Sequence, residues 1–515
     1  MREARPSPAA LRLYASPVPP ARAARARSSV ATPLKTPATP EPLLDVLVVG
    51  AGLSGLTAAF ELSERGADVV ALDAAPTAGG VATSRRVGDY LFEAGPNTVP
   101  ASARELRELA GRLGIASRLV AADPSARTRY LWFGGRLVPL PGGPLGLLTT
   151  PLLSAGAKLR VASEPLRRWR APEADVTEPS LGGLLDERIG VEASNLFAGA
   201  FVRGVYAGDH RQLGARSAFP RLWSMLLDGG GLVRGARRAA AAPRPPSAPG
   251  PDVPASRLLS FPEGLGELAT ALADRLGARL RTGCRVDGIT REPSGWRATL
   301  SGGGSLRARA LVLALGARAA AALIARAGLG ELAERLAALP TRGIRLVHLG
   351  FAPGTLTLPP GFGYLVPPPE ALLRRGGSAA APAALGALFP SNLFRGRAPA
   401  GGAAVTCFFA EDWARGSSPE QRAALARRDL AHALRLPAAP EAEAFWCVDW
   451  PGAIPQYAVE HGVRIAGLET ELAERAPRLH LAGSYTAGLA VNQVLARGRA
   501  VAAQIQGAAS APPTP

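Results

Sequence analysis

The sequence predicts an α/β protein of several domains, and three observations predict it. A strand, a glycine turn, a helix and a second strand follow one another over residues 46–75, β-type segments cluster between 330 and 440, and a strand, a glycine-rich turn and a long helix close the chain. At 515 residues the chain is long enough for two or three domains with a sizeable core.

Composition removes several function classes. A formal charge of +18 and a pI near 11.1 ordinarily point to nucleic acid or an anionic surface. Here only Lys35 and Lys158 are lysine, the other cations are arginine among abundant Ala, Gly and Pro, and no basic run is interleaved with aromatics for bases to stack on. Nucleic acid is therefore not expected as a partner. Cys284, Cys407 and Cys447 stand alone without C-x-x-C spacing, and the five histidines are scattered, so neither a disulfide framework nor a metal site is expected. The stretch nearest to a membrane span, 306–328, is broken by Arg307, Arg309, Arg318 and Arg326.

Taken in order, residues 1–43 form a leader rich in Pro, Ala, Arg and Ser, expected to be disordered. It reads as an organellar transit peptide or as a plain extension, and it lacks the apolar core of a secretory signal. Val46 to Val49 is a short β-branched strand of the kind buried on both faces of a parallel sheet. Gly50, Gly52 and Gly55 follow at G-x-G-x-x-G spacing: the first allows the turn, the second lets a pyrophosphate approach, and the third lets the helix pack on the strand. The helix Leu53 to Arg65 points its N-terminal N–H groups at those phosphates. The strand Asp68 to Leu72 then ends at Asp73, 18 residues after Gly55, where an acid accepts from both ribose hydroxyls. That acid disfavours a 2′-phosphate, which leaves FAD or NAD. Gly79 and Gly80 in APTAGGVATS and the turn FEAGPNTV resemble the extended FAD fingerprint of the amine oxidase and phytoene desaturase superfamily.

Further on, Leu106, Leu109, Leu113 and Ile115 mark an amphipathic helix, and RYLWFGGRLVPLP reads as a hairpin about Gly134 and Gly135. Residues 142–170 set apolar clusters beside Lys158, Arg160, Arg167, Arg168 and Arg170. They read equally as a helix lying on an anionic bilayer and as a core helix with a solvated basic face. Gly229 to Ser256 is of low complexity and reads as a surface loop. SFPEGLGELATALADRL turns into an amphipathic helix, and RLRTGCRVDGITRE is a strand leading to LVLALGA. IRLVHLGF, GFGYLVP, ALGALF and AVTCFF suggest an antiparallel sheet, followed by a helix over 419–435.

RYLWFGGRLVPLP, FVRGVYAGD followed by SAFP, SFPEGLGEL, GFGYLVP, AIPQY and AGSYTAGLAVNQ occur in the order in which they occur in protoporphyrinogen oxidases, and the resemblance runs from Asp45 to Ile505. It implies a Rossmann-like, monoamine-oxidase-like FAD domain assembled from 44–105, 257–325 and 441–508. It further implies an antiparallel-sheet substrate domain over 326–440 and a helical membrane-associated region over 106–225, with a loop at 226–256 and a tail at 509–515. That tips residues 142–170 towards a membrane surface. The implied location is cytoplasmic and peripherally membrane-associated. A homodimer is the further assembly considered, on which the residues are silent.

The implied activity is oxidation of protoporphyrinogen IX to protoporphyrin IX in heme biosynthesis. Six hydrogens leave in three rounds, each a hydride to the flavin, and O2 is reduced to peroxide. The alternative substrate is coproporphyrinogen III. No obligatory protein acid or base is implied, because hydride transfer to flavin needs positioning above all. Carried over position by position, Gly50, Ala51, Gly52, Leu53, Ser54, Gly55, Asp73, Ala74, Gly80 and Val81 match the adenosine and pyrophosphate contacts. Val286 matches a backbone contact on the adenine side. Gly95, Pro96, Asn97 and Thr98, with Gly483, Leu489, Ala490, Val491 and Asn492, match the surroundings of the flavin ring. Phe362 matches an aromatic that sandwiches a pyrrole, with Leu336 or Leu339 opposite.

Two departures bear on specificity. Asp73 stands where the family usually has glutamate, and Asn97 and Ala116 occupy the two places where its branches put an arginine able to pair with a propionate. Arg104, Arg118 or Arg203 would then have to take that carboxylate. An amine oxidase or carotenoid desaturase is set aside because amine oxidases usually carry a lysine, water-bridged to the flavin, near the third quarter of the chain and none stands there. A non-catalytic flavin or tetrapyrrole carrier is the reading of another class.

Overall fold

The computed structural model describes residues 42–167, 177–241, 250–254, 257–373 and 380–509. The expectations for the leader up to residue 41, for Arg168 and Arg170, and for residues 510–515 of the tail lie outside them.

The strand Leu43–Val49 is the centre of the first sheet. It pairs in parallel with Val69–Leu72 on one side and Ser305–Leu313 on the other, and Leu280–Arg281 and Leu479–Leu481 extend the parallel set. Val286–Glu292 and Gly295–Leu300 add an antiparallel meander beside Ser305–Leu313. Alternation carries each side chain to its layer: Val46 and Val48 join one core and Leu47 and Val49 the other. On the first face lie the helices Leu53–Glu64, Gly266–Leu276 and Val491–Ala509; on the second lie Ala317–Arg326, Gly330–Ala337 and His461–Arg475. The helix Leu53–Glu64 is buried from Leu53 to Leu62, as a helix packed on several sides must be. The closing helix approaches it at Gly498, where a Cβ would meet Ser54 O and Thr57.

The second sheet has seven strands in the order Ala444–Pro455, Thr341–Phe351, Ala403–Ala410, Gly386–Leu388, Gly363–Leu365, Arg129–Phe133 and Arg136–Pro139. The hairpin forms as predicted, with Gly134 and Gly135 at φ 58° and 75°. It joins the substrate lobe through a parallel pairing of Arg129–Phe133 with Gly363–Leu365, so the sheet is mixed and draws on chain assigned above to the helical region. At the other edge, Ala444–Pro455 pairs with Thr341–Phe351 and belongs to this lobe, whereas the sequence placed it in the third FAD segment. Pro451 fits there because an edge strand tolerates a missing donor. The helix Pro419–Leu434 covers one face of this sheet, started by a capping box of Ser418 and Gln421.

The expected loop at 226–256 is corrected in its first part. Pro220–Gly229 and Leu232–Ala241 are two helices that turn about Gly230, at φ 60°. The buried carboxylate of Glu164 accepts the N–H groups of Leu232 and Val233 at 2.7 and 3.1 Å, which caps the second helix, and it is paired with buried Arg188. That cap lies 68 residues away in sequence, so composition concealed the helix. Among the described residues no helix is long and apolar enough to cross a membrane.

Candidate cofactor and substrate site

The glycine turn divides its labour as the spacing predicts. Gly50 has φ 105°, and a Cβ there would overlap Ala314 O; a Cβ on Gly55 would overlap Gly50 O. Both glycines are required by the protein's own packing. A Cβ on Gly52 would meet nothing within 4 Å, which leaves open space over the start of the helix Leu53–Glu64. Gly52 is its N-cap and no side chain caps it, so the first amides are available to an anion. A pyrophosphate fits that cradle.

Asp73 ends the neighbouring strand. Its Oδ2 accepts the Ala51 N–H at 2.6 Å and its Oδ1 accepts the Ala75 N–H at 2.8 Å, which holds the carboxylate beside the turn. Each oxygen keeps a lone pair for a ribose hydroxyl. The Cys284 N–H donates to Asp73 O and the Gly283 N–H to Ala75 O, both at 2.8 Å, while Asp73 N–H donates to Arg281 O at 3.0 Å. The segment Arg281–Cys284 thus borders Asp73, and Val286, half-buried, opens the next strand two residues on. Sequence reading passed over 281–284 because their contribution is backbone only.

The second glycine pair lies against the first. The Gly79 N–H donates to Ala51 O at 2.8 Å, and a Cβ on Gly80 would stand 3.3 Å from Gly52 Cα. Ala74, Gly80 and Val81 are exposed beside it. Gly95 packs on Val81, where a Cβ would come within 2.6 Å of Val81 O. Pro96, Asn97 and Thr98 follow half-buried, and Asn97 Nδ2 donates to Gly95 O at 2.9 Å. Asn492 Oδ1 lies 3.4 Å from the Leu106 N–H, joining the start of the closing helix to the chain that follows Thr98. Leu489 packs with Tyr457 and Tyr206, Ala490 is exposed, and Gly483 sits where a Cβ would overlap Leu315 O.

Side chains to which the sequence analysis assigned no role hold these loops. The Tyr457 hydroxyl donates to Ser484 O at 3.0 Å and His461 Nε2 donates to Tyr485 O at 2.7 Å, which fixes the turn leading to Leu489. Burial lowers the His461 pKa. Gln456 Nε2 donates to Tyr206 O at 2.8 Å, so AIPQY ties the helix Ala200–Tyr206 to the same place. Trp450 Nε1 donates to Ala94 O at 2.6 Å, linking the edge of the second sheet to the segment before Gly95. Buried Arg397 donates to Ser260 Oγ, Phe261 O and Pro262 O at 2.9, 3.1 and 3.0 Å and lies 3.5 Å from Glu93. Glu93 also accepts from Ser84 Oγ at 2.5 Å and the Leu265 N–H at 2.9 Å, and burial pushes its pKa up to about 7.

Phe362 belongs to an apolar cluster with Leu388, Leu393, Phe394 and Phe408 from its own lobe and Val120 and Leu258 from the cofactor half. The strand Leu258–Ser260 pairs with Val99–Pro100 on one side and Val120–Ala121 on the other, so this cluster adjoins the segment 95–98. Leu336 and Leu339 do not oppose Phe362. They are buried to 1% and 4% exposure in the core behind the first sheet, with Ile324 and Leu468, and a side chain packed there cannot wall a separate cavity. Arg104 and Arg118 are ion-paired with Glu108 and Glu267. Arg203 donates to Val366 O and Pro367 O at 3.1 and 3.4 Å, and burial lowers its pKa.

The geometry is that of a dinucleotide-binding protein, and its class is a flavin oxidoreductase: the chain belongs to the family of flavin containing amine oxidoreductases, whose model matches residues 53–506. Its cofactor is FAD. Relatives matched over most of both chains include protoporphyrinogen oxidases. One from Bos taurus is 30% identical over 503 residues, covering 90% of this chain and 98% of that one. The chloroplastic enzyme of Nicotiana tabacum is 28% identical over 515 residues, covering 94% and 90%. A solved structure from Exiguobacterium sp. 255-15 has the same fold, with a TM-score of 0.74 at 21% identity over 91% of this chain and all of that one.

Proposed function

We propose that the chain oxidises protoporphyrinogen IX to protoporphyrin IX with O2 as the final acceptor. The reading rests on one juxtaposition: the aromatic cluster about Phe362 adjoins the segment 95–98, which the resemblance puts beside the flavin, through the strand Leu258–Ser260, in a chain similar to protoporphyrinogen oxidases over most of its length. FAD, when bound, supplies the two-electron acceptor. Gly52 and the amides after it hold the pyrophosphate, and Asp73 holds the ribose. Tyr457, His461 and Trp450 keep the two ring-facing loops in register, and the walls around Phe362 give an apolar face to a macrocycle. Three two-electron rounds remove six hydrogens, and three O2 become three H2O2. No side chain has to act as acid or base.

Association with a bilayer surface is part of this reading. The helix Ala155–Ala162 has no buried residue, and Leu145, Leu148, Leu159 and Leu166 are 74%, 62%, 72% and 85% exposed beside Lys158. Such a surface favours an anionic membrane over the core-helix alternative. Double substitution of Leu145 and Leu159 by Ser lowers sedimentation with anionic liposomes and leaves Tm unchanged; a wild-type protein that stays in the supernatant refutes the membrane reading.

The activity is tested by porphyrin fluorescence after reduced protoporphyrinogen or coproporphyrinogen is added in air to the FAD-loaded protein. Faster formation from protoporphyrinogen is expected. Turnover of coproporphyrinogen alone reassigns the substrate, and no turnover of either overturns the oxidase.

A further inference from the structure

The substrate proposed above is a flexible ring with carboxylate arms, and a carboxylate drawn towards an apolar wall needs a cation within reach. The arginines that the sequence suggested are engaged, two with glutamates and one with backbone carbonyls. A different one stands at the aromatic wall. The Arg129 guanidinium carbon lies 4.9 Å from the centre of the Phe362 ring. Among the described residues no carboxylate pairs with it, whereas Arg86, Arg112, Arg297 and Arg335 each pair with a glutamate.

The base of Arg129 is rigid while its head is exposed. It opens the strand Arg129–Phe133 directly opposite Gly363, and the Phe362 N–H donates to the preceding carbonyl, Thr128 O, at 2.7 Å. The Leu140 N–H donates to Arg129 O at 2.8 Å, which completes the hairpin. A guanidinium held over a ring face by cation–π attraction still has N–H donors for a two-pronged contact with a carboxylate.

From this we infer that Arg129 is the residue that receives a substrate propionate, with Phe362 as the surface that aligns both the guanidinium and the ring. The inference rests on the proposed function and names a specificity residue for it. An arginine that merely covers Phe362 is the alternative, and it is distinguished by a substrate without the charge.

The test uses FAD-loaded wild type, Arg129→Leu and Arg129→Lys, with protoporphyrinogen and its dimethyl ester. Arg129→Leu is expected to raise KM for the free acid about tenfold. The value of kcat, the flavin spectrum and KM for the ester stay unchanged, and Arg129→Lys recovers part of the loss. An unchanged KM for the acid, or equal rises for acid and ester, overturns the assignment. Quenching of protoporphyrin fluorescence on binding gives a readout independent of turnover, with about tenfold weaker binding to Arg129→Leu expected. If wild type oxidises neither porphyrinogen, the proposed function fails, and the binding comparison still decides Arg129.

Discussion

In the cofactor half the groups prepared for a ligand are mostly backbone, and in the second lobe they are side chains. Gly50, Gly52, Gly55 and Asp73 act through turn geometry, amides and one carboxylate, all inside a single βαβ unit. Phe362 depends on partners as remote as Val120, Leu258 and Phe408, which only the pairing of distant strands assembles. A phosphate is recognised by amides at a helix start, which local sequence can write in six residues. An apolar macrocycle is recognised by surface and shape, which several elements must build together. The first site therefore tolerates little change at a few positions, and the second spreads its dependence widely.

The widest expected break is at the joint between the halves. Arg397→Met removes the counter-ion of buried Glu93, whose pKa then rises further, and removes donors from Ser260, Phe261 and Pro262; a loss of about 3–5 kcal/mol in urea unfolding at pH 8 is expected. Glu93 itself sets a pH dependence. Its pKa is raised from 4.5 to about 7, so in that window the folded chain keeps a proton that the unfolded chain has released. Its contribution to stability is intact below pH 4.5 and is lost as pH rises through 7. Glu93→Gln flattens this part of the Tm profile, and an unchanged profile denies Glu93 that role.

Within the cofactor half, two glycines three residues apart separate folding from binding. Gly55→Ala forces a methyl onto Gly50 O and costs about 1–3 kcal/mol in the apoprotein. Gly52→Ala meets no protein atom, so apoprotein stability stays within about 1 kcal/mol, while FAD affinity measured by flavin fluorescence falls about tenfold. Equal effects of the two substitutions would erase the distinction drawn above. The smallest change is expected at Tyr457→Phe. Loss of the hydroxyl to Ser484 O costs about 1 kcal/mol and shifts the visible spectrum of the bound flavin slightly.

Legibility followed the same division. The first βαβ unit, the hairpin about Gly134 and Gly135 and the helix at 419–435 were readable because each is specified by neighbours in sequence. The helix Leu232–Ala241 was not, since its cap is the distant Glu164. Tyr457 and His461 lay in or beside a motif that sequence reading had marked, yet their partners Ser484 and Tyr485 became visible only with the turn folded against them.

By itself the sequence determined the first βαβ unit with its glycine turn and Asp73, and the family likeness, since glycine spacing and ordered motifs are local and survive without coordinates. Tertiary structure alone decided that Ala444–Pro455 closes the second sheet, that Leu336 and Leu339 are core, and that Arg129 lies over the Phe362 ring while Arg104 and Arg118 pair with glutamates. Strand pairing and ion pairing are choices among distant partners, and one chain offers many of nearly equal local merit; burial and register select among them once the whole fold is in place.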